Sequence, residues 1–364
     1  MKKYIDQLLT YVLTPASWAY GAIVWTRNKL FDTGVFKEKS YSVPVVTVGN
    51  LTVGGTGKTP HVEYIAEHLA DRYNIAVLSR GYKRKTKGFI LASARSTPEQ
   101  IGDEPMQIYR KLGDRVKVAV CESRQKGIEN LLEAFPEINL IILDDAFQHR
   151  WVRPKVSILL QDYSRPVYDD KLLPLGRLRE QAHGLYRADM IIITKCREQM
   201  APIDYRVIVK NLEPMSFQKI FFSSYSYSSV DPVFPENEKF NVSLNALTEE
   251  DAVLLVTGIA YPHAFIRFFK RFPFRVKVLR FPDHHNFTRK DIEMIEDVFE
   301  NMKGRRKVII TTEKDSIRLA YNPYFPAYLK PVTYFQPIEV VMKHGHDGED
   351  FLDELEVLIN KKIN

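Results

Sequence analysis

An α/β fold with a mostly parallel sheet is the architecture this sequence predicts, and three observations carry it. Short runs rich in Val and Ile recur along the chain, helical patterns separate them, and the composition is that of a chain that buries a core. The 364 residues are 45% hydrophobic and 27% charged, the balance of a globular protein and not of a disordered one. That length allows two domains. The sequence carries no low-complexity tract and no repeat at a solenoid period.

In chain order, segments 43–49, 75–79, 116–120, 139–143, 156–160 and 190–194 are short and apolar, the pattern of strands buried on both faces. Helical patterns at 60–72 and 123–134 lie between them, and this alternation puts helices on both faces of a parallel sheet. Around 215–245, Ser, Tyr, Pro and Asn accumulate, which reads as a linker. Strands are then expected at 252–257, 275–281 and 307–312, and helices at 262–271, 288–302 and 348–360. Thr288, ahead of Arg289-Lys290-Asp291-Ile292, stands where an N-cap belongs. The expected organisation is an N-terminal helix over 1–30, a larger domain over 31–225, a linker over 226–246 and a smaller C-terminal α/β domain over 247–364. Ligand chemistry is expected in the cleft between the two.

No charge occurs from Gln7 to Thr26, a stretch that carries Leu8, Leu9, Val12, Leu13, Trp18, Ile23, Val24 and Trp25. Gln7, Thr10, Thr14, Pro15, Ser17 and Gly21 interrupt it, which disfavours a membrane span, since a span needs about 20 mostly apolar residues. The run is also too broken for a signal peptide. Its aromatic residues and the flanking Lys2, Lys3, Arg27 and Lys29 fit an amphipathic helix at a membrane surface. The competing reading is a helix packed on the core. Lys and Arg outnumber Asp and Glu by 52 to 45, a net charge of +7, which suits a phosphorylated ligand, an anionic membrane or nucleic acid. No motif for base stacking or groove reading is present, so nucleic acid is not the expected partner. Cys121 and Cys196 lie far apart and form neither a disulfide framework nor a zinc spacing.

The strongest chemical signal is Gly54-Gly55-Thr56-Gly57-Lys58-Thr59, set between the first strand and a helix. That is the context of a phosphate-binding P-loop. Glycines turn backbone N–H groups toward phosphates, Lys58 neutralises their charge, the Thr59 hydroxyl suits Mg²⁺, and the helix N-terminus adds its dipole. Pro60 suits the first helical turn. Thr52 stands where the general motif has its first glycine. The fold class is thus a P-loop NTPase-like core with a mostly parallel sheet, a smaller C-terminal α/β domain and an N-terminal amphipathic helix. Asp144-Asp145, at the end of strand 139–143, are placed as the Mg²⁺ partners of such a loop. Other clusters have structural readings of their own. Gly102-Asp103-Glu104-Pro105 reads as a helix start with acids in its first turn. Asp283-His284-His285 reads as a polar loop, Arg177, Arg179 and Glu180 as a solvated cluster, and Arg80, Lys83, Arg84, Lys85 and Lys87 as an exposed basic loop.

In order, GNLTVGGTGKTP (49–60), SRGY (79–82), GDEP (102–105), ESR (122–124), LDDAFQHR (143–150), LPLGRLRE (173–180), FPDHH (281–285) and TTEKD (311–315) resemble the tetraacyldisaccharide 4'-kinases of bacterial lipid A synthesis. The resemblance runs from about residue 40 to 320 and extends to the apolar N-terminal helix. It implies transfer of the γ-phosphoryl group of ATP to the 4'-hydroxyl of an acylated glucosamine disaccharide 1-phosphate. It further implies a peripheral enzyme on the cytoplasmic face of the bacterial inner membrane, in contact with anionic lipid and with no obligate protein partner. By the same resemblance Asp103 is the general base and His284 supports it. Gly54, Gly55, Thr56, Gly57, Lys58 and Thr59 hold ATP, and Thr59, Glu104, Asp144 and Asp145 serve Mg²⁺. Arg80, Arg124, Gln148, His149, Arg179 and Glu180 line the site. Arg177 and Gln181 depart from the pattern, each standing where proline is usual. Asp103 and His284 belong to different predicted domains, so their meeting implies closure around the substrate. Two other classes remain: a P-loop switch or ATPase acting on a protein, marked by hydrolysis indifferent to glycolipid, and a nucleic-acid ATPase, marked by steep salt dependence of DNA binding.

Overall fold

The computed structural model describes residues 2–227, 229–234, 242–343 and 348–361, with side chains described from residue 10 onward. The chain opens with α1 (Lys2–Asp32), β1 (Val45–Gly49), α2 (Lys58–Leu69), β2 (Ile75–Ser79), β3 (Ile90–Leu91), α3 (Pro98–Ile101) and α4 (Asp103–Leu112). It continues through β4 (Lys117–Val120), α5 (Arg124–Ala134), β5 (Leu140–Asp144), β6 (Val156–Asp162), β7 (Met190–Thr194), α6 (Pro202–Leu212) and β8 (Lys219–Ser226). There follow β9 (Asp231–Pro232), β10 (Ala252–Thr257), α7 (His263–Phe269), β11 (Arg275–Arg280), α8 (Arg289–Glu300) and β12 (Lys307–Thr312). The chain closes with α9 (Glu313–Ala320), β13 (Thr333–Gln336), β14 (Glu339–Lys343) and α10 (Phe351–Asn360).

Among the described residues the strands form two sheets, ordered β14-β8-β7-β6-β1-β5-β2-β4-β3 and β11-β10-β12-β13-β9. In the larger sheet every pairing from β8 through β4 is parallel, and β14 and β3 close its edges antiparallel. In the smaller sheet only β9 runs antiparallel. Strand alternation sends successive side chains to opposite faces. Val46 and Val48 of β1 therefore pack with Val62 and Ile65 of α2, while Val45 packs with Ile128 and Leu131 of α5. Each such fully buried side chain is worth roughly 1.5–3 kcal/mol relative to exposure. α7 and α8 cover the two faces of the smaller sheet, through Phe265, Ile266 and Phe269 on one side and Ile292, Ile295 and Phe299 on the other. Thr288 caps α8 as its sequence indicates, accepting from the Asp291 N–H.

Two expectations are corrected. The Ser- and Tyr-rich stretch read as linker begins with a strand, β8, whose Phe221, Phe222 and Ser223 are fully buried. Ser223 is polar yet tolerated there because its hydroxyl bonds the buried His61 ring at 2.8 Å. Part of the linker expected over 226–246, at 228 and 235–241, lies outside the described residues. The C-terminal domain expected over 247–364 also ends early. β14 pairs with β8 in the larger sheet, and Phe351, Leu355 and Ile359 of α10 join the core of β1 and α2. A short apolar helix shows where its greasy face is but not which sheet receives it.

α1 presents two faces. Ser17, Gly21 and Phe31 are buried, and Tyr20, Val24, Arg27 and Asn28 are half-buried, a stripe at helical spacing. Ser17 and Tyr20 donate to the carbonyls of Leu172 and Arg179 at 3.0 and 2.8 Å. Tyr11, Val12, Trp18, Ile23 and Trp25 project outward. The side chains of Lys2, Lys3, Leu8 and Leu9 lie outside the described residues. Among the described residues no helix is long and apolar enough to cross a membrane.

Candidate active site

The site forms at the carboxyl ends of the central parallel strands, where open α/β sheets leave their crevice. β1 ends at Gly49, where a side chain is impossible: a Cβ there would lie 2.6 Å from Phe147 Cβ and 2.8 Å from Phe147 N. This close approach brings residues 144–149 alongside the loop that follows β1. In that loop Gly54 and Gly57 have φ of 108° and 91°, a region L side chains rarely adopt. Gly57 is doubly required, since a Cβ would meet the Tyr225 hydroxyl at 1.9 Å. The Asn50 side chain braces the loop from within, donating to Thr56 Oγ1 at 2.9 Å. Thr194, at the end of β7, donates to Thr56 O at 2.8 Å. Thr52, the departure from the general motif, is accommodated in an extended segment bridged to Leu178, with Val53 N donating to Arg177 O at 2.8 Å. Gly55 is exposed, and Thr59 sits half-buried in the first turn of α2.

Lys58 Nζ donates to Asn50 Oδ1 at 3.3 Å and lies 3.6 Å from Asp145 Oδ1. Asp145, with φ of 47°, is also gripped by Arg179, whose two terminal nitrogens donate to its two oxygens at 2.9 and 3.3 Å. Burial alone would raise the Asp145 carboxyl, but Lys58, Arg179 and Arg124 outweigh it and hold the group below the usual range. Asp144 differs. Its Oδ2 accepts from Ser79 at 3.3 Å, while its Oδ1 is buried without any partner. Burial, then the Asp145 charge, pushes its pKa up to about 6. Arg124 is buried beneath the pair and donates to the carbonyls of Cys121 and Asp144, each at 2.9 Å. His149 lies near Arg124, Arg80 and Arg27, and burial together with these cations pushes it down to about 4. Arg80 itself is exposed. Within the basic loop, Arg84 and Lys85 are paired with Glu122 and Glu99, each at 2.6 Å.

The remaining expected residues tie α1 to this site. Glu180, buried, accepts from Asn28 and Gln148, each at 3.0 Å, and from Arg187. Gln148 donates to Asn50 O at 2.8 Å and accepts from Arg179 at 3.2 Å. Arg27 donates to the Gln148 carbonyl at 2.9 Å.

Asp103 and Glu104 open α4 after Gly102, whose φ is 94°. The structural reading of this stretch as a helix start is thus correct, and it does not exclude chemistry. His284 Nδ1 stands 3.9 Å from Asp103 Oδ2, so the two residues meet without the closure their domain assignment implied. They do not bond directly. Arg318 comes between them, with Nε donating to Asp103 Oδ2 at 3.0 Å and Nη2 lying 3.2 Å from His284 Nδ1. Lys314 lies 2.8 Å from Glu104 Oε1. Burial would raise Glu104, but Lys314 and His284 outweigh it and keep the carboxyl below its usual value. Sequence reading missed Arg318, Asn50 and Asn28. A signal existed for Arg318: it stands one turn beyond Lys314 of the quoted TTEKD run, on the same helix face.

A glycine-rich loop and a lysine stand at the end of a central parallel strand, and the chain also brings a carboxylate and a histidine, Asp103 and His284, to within 3.9 Å of each other. Fold and site together define a P-loop phosphotransferase. Within that class the chain belongs to the tetraacyldisaccharide-1-P 4'-kinase family, LpxK, whose model matches residues 9–356. The chain is 49% identical over 335 residues to a tetraacyldisaccharide 4'-kinase of Bacteroides thetaiotaomicron, covering 90% of this chain and 88% of that one. It is 43% identical over 357 residues to the one from Porphyromonas gingivalis, covering 96% and 97%. A crystal structure of LpxK from Aquifex aeolicus in complex with ATP superposes with a TM-score of 0.71 at 30% identity, covering 96% of this chain and 98% of that one.

Proposed function

We propose that this chain transfers the γ-phosphoryl group of ATP to the 4'-hydroxyl of tetraacyldisaccharide 1-phosphate, giving the 1,4'-bisphosphate lipid IVA. The observation that carries the reading of the site is the approach of His284 to Asp103 at 3.9 Å. Asp103 shares its helix start with Glu104, whose charge acts on Asp144 beside the P-loop. An ATPase needs to position only water; a carboxylate–imidazole pair set off from the phosphate loop suits a sugar hydroxyl.

Gly54, Gly55, Thr56 and Gly57 turn the loop around the ATP phosphates, and Lys58 exchanges its contact with Asp145 for phosphate oxygens. Asp103 accepts the hydroxyl proton, and the nearby imidazole of His284 makes that acceptor effective at neutral pH. Mg²⁺ fits the residues present, because it binds through one or two carboxylates plus phosphates and Asp144 Oδ1 is a buried oxygen without a partner. Asp144 and Thr59 would hold it, with Glu104 joining on release from Lys314. Asp145 has both oxygens committed to Arg179 and instead positions Lys58. When bound, Mg²⁺ neutralises phosphate charge during transfer. Arg80, Arg124, Gln148, His149, Arg179 and Glu180 line or brace this region.

The test is incubation of the pure protein with γ-labelled ATP and detergent-solubilised tetraacyldisaccharide 1-phosphate. Label is expected in a lipid carrying a second phosphate. Label found only as inorganic phosphate, at a rate indifferent to the lipid, would overturn the reading.

An acceptor with four acyl chains resides in a membrane, so the enzyme works peripherally, at the cytoplasmic face where ATP is available. The outward face of α1 provides the contact, with Trp18 and Trp25 at 73% and 57% exposure. A Trp offers ~150–250 Å², and apolar burial yields ~25 cal/mol per Å². Replacing both, Trp18→Ser with Trp25→Ser, is expected to weaken partitioning into anionic vesicles by at least about tenfold, or ~1.4 kcal/mol. The KM for lipid should rise and that for ATP should stay. Unchanged co-sedimentation with vesicles would leave α1 as a packed helix only.

A further inference from the structure

α9 reaches across from the smaller sheet and grips the proposed reaction centre with two side chains one turn apart. The helix is firmly seated. Asp315, fully buried, accepts from Gly258 N at 2.8 Å and from Thr312 Oγ1 at 2.6 Å. From this base Lys314 Nζ contacts Glu104 Oε1 at 2.8 Å and lies 2.9 Å from His284 Nε2. Arg318 donates through Nε, at 3.0 Å, and through Nη2 to the same Asp103 oxygen. Its Nη2 also faces His284 Nδ1 at 3.2 Å, and its Nη1 reaches Asp315 Oδ1 and the His285 carbonyl, both at 3.4 Å. Its side chain is only 5% exposed. Every polar arm of this guanidinium is therefore spent on holding the parts of the centre together.

The consequence for His284 is unusual. A cationic donor stands at each ring nitrogen, yet a neutral imidazole offers only one acceptor, and a protonated one offers none. The arrangement disfavours the charged ring and makes its orientation depend on which cation it accepts from.

We propose that Lys314 and Arg318 are positioning residues for phosphoryl transfer, Arg318 fixing the Asp103 carboxylate against His284 and Lys314 orienting the His284 ring. This rests on the reading of Asp103 and His284 as the acid–base pair. It assigns a task to Lys314 of the TTEKD run.

A pH profile separates this role from a merely structural one. The groups facing the His284 ring are Asp103 and Glu104 from α4, Asp283 from its own loop, Lys314 and Arg318 from α9, and Tyr82, edge-on at 5.7 Å. Burial lowers the His284 pKa most and Lys314 lowers it next; Glu104 and Asp283 oppose, and Arg318 lowers it further. Only a neutral ring assists proton removal, so activity falls as pH drops through this pKa. Lys314→Met removes a cation that lowers the His284 pKa, so that pKa rises and the acid limb of kcat/KM should move to higher pH. Arg318→Lys keeps the charge but loses the fork. A displacement on the order of 1 Å costs about 10²-fold, so kcat should fall by about that factor while KM for ATP holds.

The experiment measures kcat, KM for ATP and the pH profile for the full-length wild type, Lys314→Met, Arg318→Lys, Asp103→Asn and His284→Ala. If Asp103→Asn and His284→Ala keep wild-type turnover, the acid–base reading fails. If they lose it while Lys314→Met keeps the wild-type acid limb and Arg318→Lys keeps the wild-type kcat, the positioning inference alone is overturned. Should Arg318→Lys prove unstable, Lys314→Met decides, since Lys314 is 23% exposed and supports no core cluster.

Discussion

Lys58→Ala is expected to remove kinase turnover while the protein stays folded. Among the described residues the lysine's hydrogen-bond and ion-pair partners are the Asn50 side chain, at 3.3 Å, and Asp145, at 3.6 Å. It belongs to no hydrophobic cluster, and Asp145 retains its two bonds to Arg179 after the change. In the proposed mechanism its positive charge meets the phosphates, where charge must be neutralised as the phosphoryl group moves. Removal of one such preorganised group typically costs on the order of 10²–10³ in rate. Transfer of label to lipid should fall by at least that factor, with an unchanged thermal unfolding midpoint. A folded variant that turns over at near the wild-type rate would exclude the P-loop role.

Much of this architecture was legible because local rules determine it. Strands at 75–79, 190–194, 252–257 and 307–312 have the expected bounds, since a Val- and Ile-rich run with helices on either side leaves few alternatives. The P-loop was legible because glycine spacing encodes backbone conformation: Gly54 and Gly57 do adopt positive φ. β8 was hidden because its serines and tyrosines resemble a linker, and only a buried partner such as His61 makes them admissible in a core. Arg318 was hidden for a different reason. Its partner Asp103 lies 215 residues away, and no local pattern states that α4 and α9 will face each other. That contact follows from how two sheets meet. The two departures in the 173–181 segment have definite places in the structure. Arg177 N donates to Asp170 Oδ1 at 3.1 Å, its guanidinium lies 5.6 Å from the Tyr261 ring, and Gln181 stands at the N-cap position of a short 3₁₀ turn without a side-chain capping bond. For α1 the two competing readings apply to two faces: the inward stripe is packed, and the outward one is left for the proposed membrane.

The second large effect concerns Asp103 and His284 together. General acid–base groups typically contribute 10²–10⁴ in rate, so each single variant should lose turnover on that order. Alanine is a poor choice at Asp103. Arg318 beside it is only 5% exposed, and stripping a buried charge of its partner costs about 3–5 kcal/mol, which would confound activity with unfolding. Asp103→Asn removes the charge and the basicity but retains an oxygen for Arg318 to bond, and Asp315 still pairs with the guanidinium at 3.4 Å. At His284, alanine leaves Lys314 with its Glu104 partner, so the cation is not stranded. If the two residues act as one proton-accepting unit, either change alone disables it, and the second change finds little left to remove. The double variant Asp103→Asn/His284→Ala should therefore lose about as much as the worse single variant, not the product of the two. Single-turnover measurements with saturating ATP and lipid isolate the chemical step from product release. Losses that multiply would mean that Asp103 and His284 serve separate steps, and the 3.9 Å approach would then be a packing contact and not a catalytic pair.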